Sequence, residues 1–305
     1  MASAGLCHSD LMLFEGSLIS NGVVTMGHEG VGFVEKLGSK VKGFKPGDRI
    51  GFLYIKGVCF ECEGCQVHNL NCELGTAKLH GTHTDGFFAE YAAVDYRNAI
   101  ILPTNLETET AAPYFCAGIT AFHAVDGCKL QPGQWMAVVG CGGLGQMGIR
   151  IAKAMGFNVI GVDINDDVLA EAKENGADTV VNSTSTNYES QVKKASNGGC
   201  HAAVVFSAAY PAFGSAIKIL RIAGILMIIG LPAKALEFHA FDLMRKVYQI
   251  RSESTGPPQK MPRALEFISK NNIKPRVEVH KLDDIHEMME KMRTGKSKSR
   301  MVVVF

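Results

Sequence analysis

The apolar run 135–139 stops at Gly140-Cys141-Gly142-Gly143-Leu144-Gly145, and a helical pattern carries on to residue 155. A second apolar run, 158–162, ends at Asp163. A strand, a glycine turn, a helix and another strand leave few folds open, because this order builds a parallel sheet with a helix across it. Gly140, Gly142 and Gly145 stand in the spacing G-x-G-x-x-G. The first glycine permits a tight turn, the second lets backbone approach a pyrophosphate, and the third lets helix and strand pack closely. The helix N-terminus then faces the anion. A carboxylate at the end of the second strand takes ribose hydroxyls. Here that is Asp163, followed by Ile164 and Asn165 with no arginine to meet a 2′-phosphate. A packing turn without ligand is the bland alternative. The context favours a dinucleotide site, NAD over NADP, on Gly140, Gly142, Gly143, Leu144, Gly145 and Asp163.

Further strands are expected at 179–181, 202–206, 225–229 and 247–250, with helical patterns near 167–174, 188–195 and 212–220. Alternation of this kind predicts an α/β fold with a Rossmann doubly wound parallel sheet over 116–256. The first third has a different character, with short strand-like runs at 31–37, 49–54 and 87–94 punctuated by Gly, Pro and Asp. The tail holds two helical patterns, 262–270 and 282–292, and a closing strand, 301–305. At 305 residues the chain exceeds one core. The tail is too short to stand alone, so the second domain is expected to be discontinuous, 1–115 plus 257–305.

Charge and leader signals narrow the setting. Thirty-one basic and 30 acidic residues leave a net charge of +1, so no global field exists to hold nucleic acid or an anionic membrane. The first residues carry no basic start and no apolar core of a signal peptide, which reads as cytoplasmic. In a reducing compartment the nine cysteines point to metal rather than to disulfides. Four of them, Cys59, Cys62, Cys65 and Cys72, fall in one short loop. Closely spaced thiolates wrap Zn2+ tetrahedrally, and a site with four of them and no open position is structural. His68 lies inside the loop as a spare donor. Cys7-His8-Ser9-Asp10, Gly27-His28-Glu29-Gly30 and Cys116 are polar islands in apolar surroundings. By spacing alone they are a poor motif, since a lone buried Cys is usually a small hydrophobe.

Taken together, these segments, with Asp85-Gly86-Phe87-Phe88-Ala89-Glu90-Tyr91 and Cys116-Ala117-Gly118-Ile119-Thr120, resemble the zinc-dependent medium-chain alcohol dehydrogenases of the yeast type. The resemblance runs over nearly the whole chain and implies a mostly β, GroES-like catalytic domain beside the Rossmann domain. It implies two zinc ions per subunit. The catalytic ion would sit on Cys7, His28 and Cys116, the two-cysteine, one-histidine set known for alcohol dehydrogenases, with Glu29 as an alternative ligand. The structural ion would sit on Cys59, Cys62, Cys65 and Cys72. Asp10 matches a carboxylate that orients His28, Ser9 the hydroxyl of a proton relay, and His8 and Arg300 positions near the cofactor phosphates. Phe14 and Tyr54 match aromatics of the substrate pocket. The implied activity is reversible hydride transfer between an alcohol and NAD in a homotetramer, with a small-molecule alcohol or aldehyde as partner.

Three departures from that family stand out. Relatives have a few tens of residues before the position of Cys7, where this sequence has six. A ligand so close to the start is expected to be weakly tied, next to an open sheet edge. Met12 stands where relatives carry a relay histidine, and the gap from Cys65 to Cys72 is one residue short. These departures raise an alternative: a truncated, weak or inactive relative that still binds NAD and zinc.

Overall fold

The structure is a computed structural model that describes residues 1–18, 22–297 and 299–305. The chain opens with β1 (Ser3–Gly5), α1 (His8–Phe14), β2 (Glu29–Phe33), β3 (Arg49–Phe52) and β4 (Ala99–Ile101). It passes through α2 (Ala117–Gly127) into β5 (Trp135–Val139), α3 (Gly143–Ala154), β6 (Asn158–Asp163), α4 (Asp166–Glu174), β7 (Thr179–Asn182), α5 (Tyr188–Ala195), β8 (Cys200–Val205), α6 (Tyr210–Lys218), β9 (Leu220–Ile228) and β10 (Tyr248–Ser252). The tail adds α7 (Met261–Lys270), β11 (Val277–His280), α8 (Ile285–Arg293) and β12 (Arg300–Val304). Two compact units result, Met1–Ile119 with Thr255–Phe305, and Thr120–Ser254. Among the described residues no helix is long and apolar enough to cross a membrane.

The second unit is an all-parallel sheet in the order β10-β9-β8-β5-β6-β7. The strand order reverses between β5 and β8, and the glycine turn leaves the C-terminal end of β5 at that point. In open α/β sheets this is where ligands bind. Ala137, Val139, Ile160, Val162, Ala203 and Val205 fill its core. These apolar, β-branched runs are what a strand covered on both faces requires. Arg251 on β10 donates to the Gly127 carbonyl at 2.9 Å, a cation at the C-terminal end of α2.

The first unit carries a mixed sheet in the order β11-β12-β1-β2-β3-β4. β1 is interior. Ser3, Ala4 and Gly5 pair with Val304, Val303 and Val302 on one side and with Val31, Gly30 and Glu29 on the other. The expectation of a loosely held start beside an open edge is therefore corrected: Cys7 follows a strand bonded on both sides. A second correction concerns 87–94, which is not a strand. Phe87 and Phe88 donate to the Gly27 and Met26 carbonyls, but both sides of β2 are already taken by β1 and β3, so the segment leaves the ladder. Its Tyr91 stands exposed. Leu6, Leu11, Phe52, Phe87, Met288 and Met301 form the core of this unit. Each such side chain contributes roughly 1.5–3 kcal/mol by leaving water.

Gly51 on β3 shows how tightly this core is fitted around the approach to Cys116. A Cβ there would overlap the ring of fully buried Phe115. Gly51→Ala is expected to lower stability by about 2 kcal/mol or more, read by denaturant unfolding.

Candidate metal centres and nucleotide loop

Cys59, Cys62, Cys65 and Cys72 converge, with their sulfur atoms all within 4.8 Å of one another. Cys59 Sγ lies 3.9 Å from Cys65 Sγ and 3.7 Å from Cys72 Sγ. A tetrahedron with Zn–S bonds of about 2.3 Å has edges of about 3.8 Å, so the donors fit zinc in kind and spacing. Backbone N–H groups already point at the sulfurs. Glu61 and Cys62 donate to Cys59, and Cys65 donates to Cys62. Those donors bring the Cys59 thiol down to about 6, whereas burial pushes Cys65 up to about 12. The short gap before Cys72 closes because the turn 63–67 rests on 69–71 at Gly64, where a Cβ would overlap the Asn71 carbonyl. His68 is not in the cluster. Its Nδ1 accepts from the Leu70 N–H at 3.2 Å.

The ligand atoms of Cys7, His28, Glu29 and Cys116 also lie within 4.8 Å of one another. Cys7 leaves β1 and caps α1, His28 and Glu29 lead into β2, and Cys116 precedes α2. Asp10 ties two of them together. Its Oδ2 accepts the Cys7 N–H at 2.9 Å and its Oδ1 meets His28 Nδ1 at 3.0 Å. A carboxylate on Nδ1 sets the tautomer and leaves Nε2 for a metal. Two thiols, one imidazole and a carboxylate suit Zn2+ as a donor set.

Burial governs the electrostatics here. It opposes charge on His28, but the Asp10 carboxylate and Cys116 outweigh it and raise the ring well above its ordinary value. A hydrogen bond from Cys116 lowers the Cys7 thiol well below the ordinary range. Glu29 is fully buried, and burial lifts it to about 7 against the pull of Arg300. The Arg300 guanidinium pairs directly with Glu29 Oε1. Arg300, expected to meet cofactor phosphates, gives Nη2 to Glu29, while its Nε has no hydrogen-bond partner. No spacing could signal this pair, because its members are 271 residues apart.

Tyr54 sets its ring edge-on to His28, with centroids 5.2 Å apart. Burial pushes its hydroxyl up to about 12, and Thr255 Oγ1 stands 3.5 Å away. Thr255 escaped sequence reading because nothing around it forms a motif. His8 and Ser9 are exposed on the first turn of α1, beside Cys7. Phe14 is half exposed, with its ring edge-on to His286 at a centroid distance of 6.3 Å.

In the other unit Gly140 has φ +86, and a Cβ at Gly145 would overlap the Gly140 carbonyl, so both positions need glycine. At Gly142 a Cβ would meet nothing within 4 Å. That open face lies at the N-cap of α3, which has no side-chain cap, so its first N–H groups stay free for an anion. Gly143 and Leu144 make the first turn of that helix. Asp163 Oδ2 accepts the Cys141 N–H at 2.8 Å, and Oδ1 accepts those of Ile164 and Asn165. Its carboxylate is therefore fixed at the mouth of the loop. These residues fit a dinucleotide.

Residues 1–104 match the alcohol dehydrogenase GroES-like domain family, and residues 143–270 match the zinc-binding dehydrogenase family. An alcohol dehydrogenase of Geobacillus stearothermophilus is 36% identical over 306 residues, covering 99% of this chain and 89% of the relative. The crystal structure of the alcohol dehydrogenase from the archaeon Aeropyrum pernix superposes with a TM-score of 0.90 at 29% identity, over 100% of this chain and 90% of that one. Acetophenone reductase from Geotrichum candidum, solved in complex with NAD, gives a TM-score of 0.88 at 26% identity, over 100% and 88%. The chain belongs to the zinc-dependent medium-chain alcohol dehydrogenase family.

In the metal-free protein the raised His28 value contributes stability that is complete below the ordinary histidine value near 6.5. That contribution is lost as the pH rises through the elevated value. Asp10→Asn removes the carboxylate, so His28 is expected to titrate lower, as followed by ring-proton NMR of the metal-free protein. An unmoved titration would show that Asp10 does not hold the ring.

Proposed function

We propose that this chain is an NAD-dependent alcohol dehydrogenase of the EC 1.1.1.1 type, acting reversibly on small or medium apolar alcohols. The observation that carries the reading is the convergence of Cys7, His28 and Cys116 with Asp10 locked on His28. These three residues would hold a zinc ion that, when bound, supplies Lewis-acid chemistry and makes the alcohol proton easier to lose. A second ion on Cys59, Cys62, Cys65 and Cys72 would hold that loop folded.

The chain's own groups do the rest. Ser9, exposed next to Cys7, takes the alcohol proton and hands it to water, since Met12 cannot relay it further. Asp10 keeps His28 oriented, and Glu29 stands by as an alternative ligand under the hold of Arg300. Tyr54 lines the substrate side with an apolar ring. His8 approaches the cofactor from the first turn of α1. Gly140, Gly142, Gly143, Leu144 and Gly145 cradle the pyrophosphate, and Asp163 accepts ribose hydroxyls while repelling a 2′-phosphate. The nucleotide-binding domain is read as 116–256, and the catalytic domain as 1–115 with 257–305. The reading of a weak or inactive relative loses the ground of an open sheet edge beside Cys7, since β1 is paired on both sides. Assembly into a homo-oligomer is supported by β10, an edge strand. Leu231, Phe241 and Met244 are exposed in the stretch just before it.

Metal analysis is expected to find about two zinc ions per chain, with turnover of small alcohols measured as NADH absorbance. Cys116→Ser should leave about one ion and abolish turnover while the fold persists. Two ions with no activity on any alcohol would defeat the proposal. Ser9→Ala should lower kcat about a hundredfold with zinc content unchanged, as measured by steady-state kinetics and metal analysis.

A further inference from the structure

Glu29 and Arg300 are not on neighbouring strands. Glu29 opens β2 and Arg300 opens β12, and β1 runs between them. The register sets Gly5 directly opposite Glu29 on one side and opposite Val302, two residues from Arg300, on the other. Directly opposed residues, and residues two apart on one strand, share a face. Glu29, Gly5 and Arg300 therefore lie on the same face, and the ion pair has to bridge the intervening strand at residue 5. A Cβ on Gly5 would overlap Glu29 Oε2 and stand only 3.1 Å from its Cδ. Gly5 has an ordinary backbone conformation, absent from the residues with positive φ, so the turn chemistry of glycine does not explain it. Oε2 itself is buried and has no hydrogen-bond partner, while Oε1 takes the guanidinium.

We propose that Gly5 is a positioning residue: its missing side chain is the passage by which the Glu29 carboxylate crosses β1 to reach Arg300. That passage decides where the carboxylate rests relative to Cys7, His28 and Cys116, whose ligand atoms are all within 4.8 Å of it. Any side chain at residue 5 displaces the carboxylate from Arg300, and the shared donor cluster lies within its reach. The argument stands on strand register and excluded volume, so it does not depend on the alcohol reading.

The test is a double-mutant cycle between Gly5→Ala and Glu29→Ala, read without substrate. One readout is thermal unfolding and the other is the visible absorption of cobalt(II) loaded in place of zinc. Gly5→Ala alone is expected to lower the unfolding midpoint by roughly 5 °C or more and to alter the cobalt spectrum. In the Glu29→Ala background the same substitution should change neither, because the space is vacated. In the Glu29→Gln background, which keeps the length and loses the charge, the penalty should persist. An equal penalty in all three backgrounds overturns the proposal, since Gly5 would then act on something other than Glu29. If Gly5→Ala alone fails to fold, recovery of the folded protein by adding Glu29→Ala supports it, and no recovery overturns it.

Discussion

The metal-binding unit hangs on the main-chain pairing of Ser3–Gly5, which is bonded to β12 on one side and to β2 on the other. Through β2 it is tied to His28 and Glu29, and through β12 to Arg300. Two residues on, the same strand delivers Cys7 to the first turn of α1. Backbone ladders are stiff because every residue contributes a bond in a fixed plane. Four groups from three distant stretches are thereby brought to one place with little freedom, as a preorganised ligand set requires.

Charge is buried around that ladder, and each buried charge has an answer nearby. Asp10 faces both the Cys7 amide and His28. Glu29 faces Arg300, and both are almost wholly out of solvent. A buried pair of this kind is weak evidence for stability, but breaking it strands the partner at a cost of about 3–5 kcal/mol. The pair is better understood as holding a carboxylate at the border of the metal site than as a brace for the fold. The four-cysteine loop follows another logic. It has a small apolar cluster of its own, Ile55, Val58 and Phe60, and backbone N–H groups aimed at sulfur. The loop's own core is small, and a zinc ion on its four sulfurs would hold it folded.

Much of the second unit was legible because its signals are local. The run 135–139 matches β5, 188–195 matches α5, and the glycine spacing lies where β5 meets α3. A strand buried on both faces must be continuously apolar, and a helix that opens on a phosphate needs its glycines in order. The first unit was less legible. Residues 87–94 are apolar and aromatic as a strand often is, yet composition reports which residues seek a core and not whether a neighbouring edge is free. The same gap explains the error about the start of the chain. Nothing in Met1–Leu6 shows that it lies between two other strands.

The sequence alone determined the nucleotide loop and the four-cysteine cluster, since each rests on residue chemistry at short spacing, whereas the donors of the second centre were legible only through the family resemblance. Tertiary structure decided which distant donors meet, that Asp10 spans two of them, that Phe14 turns to His286, and that Arg300 reaches Glu29 across β1. Those outcomes depend on strand order and register. Both are set by pairings between separate stretches, Ser3 with Val304 among them, and local sequence carries no record of them.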